Sequence, residues 1–165
     1  MTNTFAYIAL SGDEKLLTFS HETETGDLSL LQELPLDGSP GPLTTDPAQS
    51  NLYIGIRSTC QILTYTIDAN DASLRQIGEP VSLDADPCYL ATDRSGRFLF
   101  SAYFGAGMVK VHAIHEDGTV GKEPVDEWVT EERAHCILPD ADNRFVFVPH
   151  IEPPNVIDQY RFDAT

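Results

Sequence analysis

Short apolar runs alternate with polar turn clusters along the whole chain. FAYIAL (5–10), LYIGIR (52–57), FLFSAY (98–103) and FVFVPH (145–150) are β-type runs that begin 47, 46 and 47 residues apart. A fixed period of this length marks stacked supersecondary units. The runs that precede them keep the same register, because GPLTTD (41–46), CYLATD (88–93) and HCILPD (135–140) each lie 47 residues from the next. Turns such as TDRSG and PDADN join the first run of a unit to the second. A third run (61–67, 107–114, 156–162) and a weaker fourth (74–82, 119–129) complete the period. Gly, Asp, Asn and Ser in the intervening segments are turn chemistry, and no stretch sustains helical periodicity.

Four antiparallel strands per period predict an all-β fold, specifically a β-propeller of four-stranded blades. The pattern predicts one partial propeller domain over 1–165, with repeat units of 5–51, 52–97, 98–144 and 145–165. That is about three and a half blades, whereas propellers close with at least about four. The chain is therefore expected to be the N-terminal part of a longer propeller, or a half that closes on a second copy to make seven blades. Open sheet edges and uncovered sheet faces predict self-association of the isolated chain.

The repeat also supplies an internal control. At the start of the first strand the equivalent positions are Gly41, Cys88 and His135; at the end of the second they are Leu10, Arg57, Tyr103 and His150. A blade requires none of these residues. Because the two strands are antiparallel neighbours, both columns are expected on one face of the disc, ringing the mouth of the central channel if the first strand is innermost. The competing readings are structural: a histidine bonded at the surface or in the core, an arginine paired with an acid, and a tyrosine capping the core.

Composition removes several classes of function. The chain carries 26 acids against 10 bases, a net charge of −16. Such a field repels phosphate backbones and anionic lipid, so neither nucleic acid nor a membrane surface is an expected partner. No apolar run approaches the roughly 20 residues of a membrane span, and the N-terminus lacks signal-peptide character, so the cytoplasm is the expected location. Cys60, Cys88 and Cys136 have no zinc-ligand or CxxC spacing and are expected to be small buried thiols. The motifs GxSxG, GxxxxGK[ST] and HExxH are absent, and no metal or cofactor is expected. His112 and His115, at a strand end and a turn, are expected to be exposed.

LYIGIRSTCQILTYTID, GRFLFSAYFGAGMVKVHAI and AHCILPDADNRFVFVPHIEPPNVIDQYRFD resemble the seven-bladed propeller lactonases, a family that includes bacterial 6-phosphogluconolactonase and is similar in fold to fungal carboxymuconate lactonizing enzymes. The resemblance runs along nearly the whole chain. It implies that further blades belong to the full protein, and that a sugar lactone, in some members phosphorylated, is the substrate. Residue by residue it places Arg57 on the arginine of the family's VRP strand end, Tyr103 on the tyrosine of its SY strand end, and His135 on the histidine opening the next inner strand. His150 has no counterpart in the family pattern. Lactone opening needs a base to activate water and a cation or donor for the oxyanion, which a histidine and a guanidinium supply without a metal. The expected roles are His135 as general base, Arg57 as anchor for the substrate's anionic group, and Tyr103 and His150 as substrate-binding groups. The opposing expectations are a non-catalytic protein-binding propeller and an isomerising enzyme of the muconate type.

Overall fold

The computed structural model describes residues 4–153 and 155–164; Pro154 and Thr165 of the last repeat unit lie outside them. The strands are β1 (Thr4–Leu10), β2 (Lys15–His21), β3 (Leu28–Pro35), β4 (Pro40–Thr45), β5 (Asn51–Ile56), β6 (Gln61–Ile67), β7 (Leu74–Ser82), β8 (Tyr89–Thr92), β9 (Phe98–Tyr103), β10 (Met108–Ile114), β11 (Val120–Val129), β12 (Leu138–Pro139), β13 (Phe145–Pro149) and β14 (Ile157–Arg161). The helical content described is one 3-10 turn at Ser11–Asp13. Strand pairing is antiparallel throughout and groups the strands into four sheets: β1 to β3, β4 to β7, β8 to β11 and β12 to β14. This is the all-β partial propeller that the 47-residue period predicts. The second, third and fourth sheets begin one strand earlier than the repeat as it is counted from FAYIAL and run from the inner strand outward, whereas the first begins at FAYIAL itself.

The blades stack through strands such as β5 and β9, which are buried on both faces, as sheets covered on both sides require, while the outer strands β3 and β11 are largely exposed. Leu16, Leu52, Ile54 and Leu63 pack the first blade on the second. Tyr53, Ile62, Leu90 and Leu99 pack the second on the third, and Phe100, Val109, Ile137 and Val148 pack the third on the fourth. The inner strands β4, β8 and β12 stand side by side and line a trough of about 590 Å³, the wall of the central channel.

At one end of this channel the turns between first and second strand all use an aspartate. Asp46, Asp93 and Asp140 occupy equivalent places, and each accepts backbone N–H groups from the residues that start the next strand. Asp93 is wholly buried. Burial alone would raise its carboxyl, but bonds from Ser95, Asn143 and the backbone outweigh that and hold it below its ordinary value. The Asn143 amide reaches it from the next blade at 2.9 Å, so this end is also stapled between blades.

His112 departs from expectation. It lies inside β10 and is buried to 1% exposure, with Nδ1 donating to the Gly121 carbonyl at 3.0 Å. β10 continues to Ile114, so His112 falls on the face turned towards the second blade together with Lys110, where Asp84 and Glu127 meet the Lys110 ammonium. His115, in the turn after β10, is exposed as expected. The three cysteines are free and half-buried.

Candidate functional site

The opposite end of the blades carries the two variable columns, and backbone bonds hold them together. The Arg57 N–H donates to the Ser39 carbonyl, that of Cys88 to Ala102, and that of His135 to Pro149. Each inner strand therefore starts beside the end of its neighbour in three successive blades, which puts Arg57, Cys88 and His135 in one row along the mouth. Cys88 links the row: its thiol lies 3.4 Å from the Ala134 carbonyl and 3.8 Å from that of His135. Burial pushes that thiol up, although backbone N–H groups and Arg57 pull the other way.

Arg57 is half-exposed and fixed by Asp86, which accepts from Nε at 3.2 Å and from Nη2 at 2.7 Å through one carboxylate oxygen. Its stem lies across Gly41. A Cβ at position 41 would come within 2.6 Å of the arginine Cδ and 2.7 Å of Cγ, so the small residue in this column is what lets Arg57 lie there. His135 is exposed, its imidazole in a T-shaped contact with the Phe104 ring, centroids 5.8 Å apart. Both residues are thus presented to solvent at one end of the channel. The trough itself reaches the row through Cys88, and neither Arg57 nor His135 lines it.

Tyr103 and His150 occupy the expected strand ends but do not face the mouth. Tyr103 is wholly buried in the interface with the second blade, where its oxygen accepts from Ser101 at 2.9 Å and burial pushes the phenol up to about 12. His150 is 4% exposed; its Nδ1 donates to the Glu132 carbonyl at 2.9 Å and its Nε2 lies 3.2 Å from the Asp158 carboxylate. The alternation of the pleat turns both side chains into the blades, so in this structure neither offers a substrate a direct contact.

Four mouth residues escape a reading of single columns: Asp86, Phe104, Arg133 and Glu152. The Arg133 guanidinium stands over the Phe104 ring, 4.8 Å from its centroid, and its Nε donates to Glu152 at 3.1 Å. A signal was available, since the 47-residue offset that carries Cys88 to His135 carries Asp86 to Arg133. Among the described residues no group of three His, Cys, Asp or Glu side chains is arranged to hold a metal ion. No helix among them is long and apolar enough to cross a membrane.

Four sheets of three or four antiparallel strands, stacked with their inner strands side by side, define a partial β-propeller. The model of the family described as lactonase, 7-bladed beta-propeller, matches residues 5–165, and the chain belongs to that family. Proteins named 6-phosphogluconolactonase are similar in sequence. That of Pectobacterium carotovorum is 36% identical over 131 residues, 79% of this chain and 39% of that protein. That of Xenorhabdus nematophila is 33% identical over 150 residues, 91% of this chain and 44% of that protein. The chain thus spans roughly two fifths of the length of these curated relatives. Among solved structures, a 6-phosphogluconolactonase-like protein of Bacteroides uniformis superposes with a TM-score of 0.87 at 15% identity, over 97% of this chain and 48% of that one. The periplasmic gluconolactonase of Pseudomonas aeruginosa gives 0.72 at 24% identity, over 78% and 38%. At these identities the two structures speak for the fold alone.

Proposed function

We propose that the full protein to which this chain belongs hydrolyses a sugar lactone, with 6-phosphogluconolactone, opened to 6-phosphogluconate, as the substrate that the names of its relatives suggest. The observation that carries this reading is the pairing, on one rim, of an exposed imidazole with a carboxylate-fixed guanidinium. His135 is the general base: its ring is oriented by Phe104, and it takes the proton of the attacking water. Arg57, across Cys88 in the same row, holds the negative charge that grows on the lactone carbonyl oxygen as the tetrahedral intermediate forms. When the ring C–O bond breaks, the protonated His135 returns its proton to the departing alkoxide, so the step needs no metal and leaves the base as it began. Tyr103 and His150 act by bracing the strand ends that carry the rim. A phosphorylated sugar substrate favours the cytoplasm as the place of action.

The test is hydrolysis by the full-length gene product. His135→Ala is expected to lower kcat by about a hundredfold or more while leaving the thermal midpoint unchanged, the usual range for loss of a general base. Undiminished activity in this variant removes His135 from the mechanism. Absence of hydrolysis of any sugar lactone by the wild-type protein removes the function.

A further inference from the structure

Of the three connectors that lead from the outer strand of one blade to the inner strand of the next, the last two carry opposite charge at a position where the first, between β3 and β4, has Ser39. Asp86, between β7 and β8, and Arg133, between β11 and β12, are equivalent positions, 47 residues apart and each two residues before the start of the inner-strand segment, at Cys88 and His135. The acid of this pair is spent on Arg57, which gives it both Nε and Nη2. The base is held differently. Nε donates to Glu152 and the guanidinium rests over Phe104, while Nη1 and Nη2 have no hydrogen-bond partner among the described residues. The side chain is 37% exposed. A guanidinium held by its stem side and by an aromatic face, with its terminal fork open, is the arrangement that takes a carboxylate or phosphate through two parallel bonds.

Its place matters as much as its donors. Phe104 bears Arg133 over its face at 4.8 Å and meets His135 in a T-shaped contact at 5.8 Å, so one ring sets the fork beside the imidazole. The phosphate of a six-carbon lactone is several bonds from the reacting carbonyl, and its anchor must stand beside the base and not on it. Three other cations are committed elsewhere. Lys110 is neutralised by Asp84 and Glu127, Arg94 is bound to the Pro139 and Asp140 carbonyls at the turn end, and Arg144 pairs with Asp142 there. In a chain of net charge −16 an anionic substrate is repelled at long range, so a specific local cation decides whether it binds.

We propose that Arg133 binds the phosphate monoester of the substrate and sets the preference for phosphorylated over neutral sugar lactones, leaving Arg57 to the charge at the carbonyl. This rests on the lactonase reading for the identity of the sugar. The experiment is calorimetric titration of the full-length gene product, at fixed ionic strength, with 6-phosphogluconate and with gluconate. The wild type is expected to bind the phosphorylated acid at least tenfold more tightly. Arg133→Gln, which keeps a planar group over Phe104 without the charge, is expected to bring the two affinities within about twofold of each other. Arg133→Lys keeps the charge without the fork and is expected to retain part of the preference. Thermal midpoints confirm that both variants fold. No preference in the wild type, or an unaltered preference in Arg133→Gln, overturns the proposal. Lactone hydrolysis, measured separately on the same proteins, reports on the broader reading: its absence with the binding preference intact sinks the lactonase function and leaves Arg133 as the phosphate site.

Discussion

The two ends of the blades are made by the same strands and obey different rules. At the turn end the repeat is faithful: Asp46, Asp93 and Asp140 fall at one position and do one job, gathering the N–H groups of a tight turn. At the mouth the same strands end in Gly41, Cys88 and His135, and in Leu10, Arg57, Tyr103 and His150. Where geometry alone selects a residue, each copy of the unit selects it again. Where copies differ at one position, something other than the blade has made the choice. In a repeat protein the divergence between units is thus a pointer to chemistry that a single-copy fold does not offer.

The sharpest way to break this comparison is to exchange the effects of the two ends. Asp93→Ala removes the acceptor of several buried hydrogen bonds, one of them from the neighbouring blade, and is expected to cost about 3 kcal/mol of stability. The kcat of the protein that remains folded should stay close to that of wild type. Thermal unfolding of the full-length gene product alongside its activity checks this, and a large loss of kcat at full occupancy of the native state would dissolve the distinction between the ends.

A smaller effect is expected from Gly41→Ala at the mouth. The new Cβ meets the Arg57 stem at 2.6 Å and must displace it, which disturbs its pairing with Asp86. The expected result is a several-fold fall in kcat/KM with less than about 1 kcal/mol lost in stability, because the clash is with a half-exposed side chain. Steady-state kinetics with a denaturation curve separates the two effects.

The smallest effect concerns His112, a histidine kept by the interface and not by the mouth. Burial lowers its pKa below the ordinary value of about 6.5 that it has in the unfolded chain, although the Gly121 carbonyl pulls the other way. As pH falls from about 6.5 towards the folded value, the unfolded state binds a proton that the folded state refuses, so stability declines over that window. His112→Asn is expected to flatten this decline, visible in thermal midpoints recorded between pH 7.5 and 5 as a rough range. An identical slope in the variant would show that His112 titrates normally.

The fold was legible because a 47-residue period and its turn residues are local signals that four strands repeat together. The location of the mouth followed from the antiparallel pairing of first and second strand, and the backbone bonds of Arg57, Cys88 and His135 agree with it. Side-chain direction was not legible. Tyr103 and His150 end their strands as expected, yet the pleat turns them inward, and which way the last residue of a strand faces depends on packing with the next blade. His112 was misplaced for a related reason: it lies within the expected run and not at its end, and the pleat turns it with Lys110 into the interface with the second blade. The Phe104 and Arg133 contact joins residues 29 positions apart in two loops, where no periodicity operates.

The most direct test of the central claim, that the mouth is where substrate is handled, is histidine imidazole NMR on the full-length gene product titrated with 6-phosphogluconate. The account predicts that the ring resonances of His135 shift with saturable dependence on ligand, while those of His21, His112 and His115 stay in place. Shifts confined to the other histidines, with His135 unmoved at saturation, would contradict it.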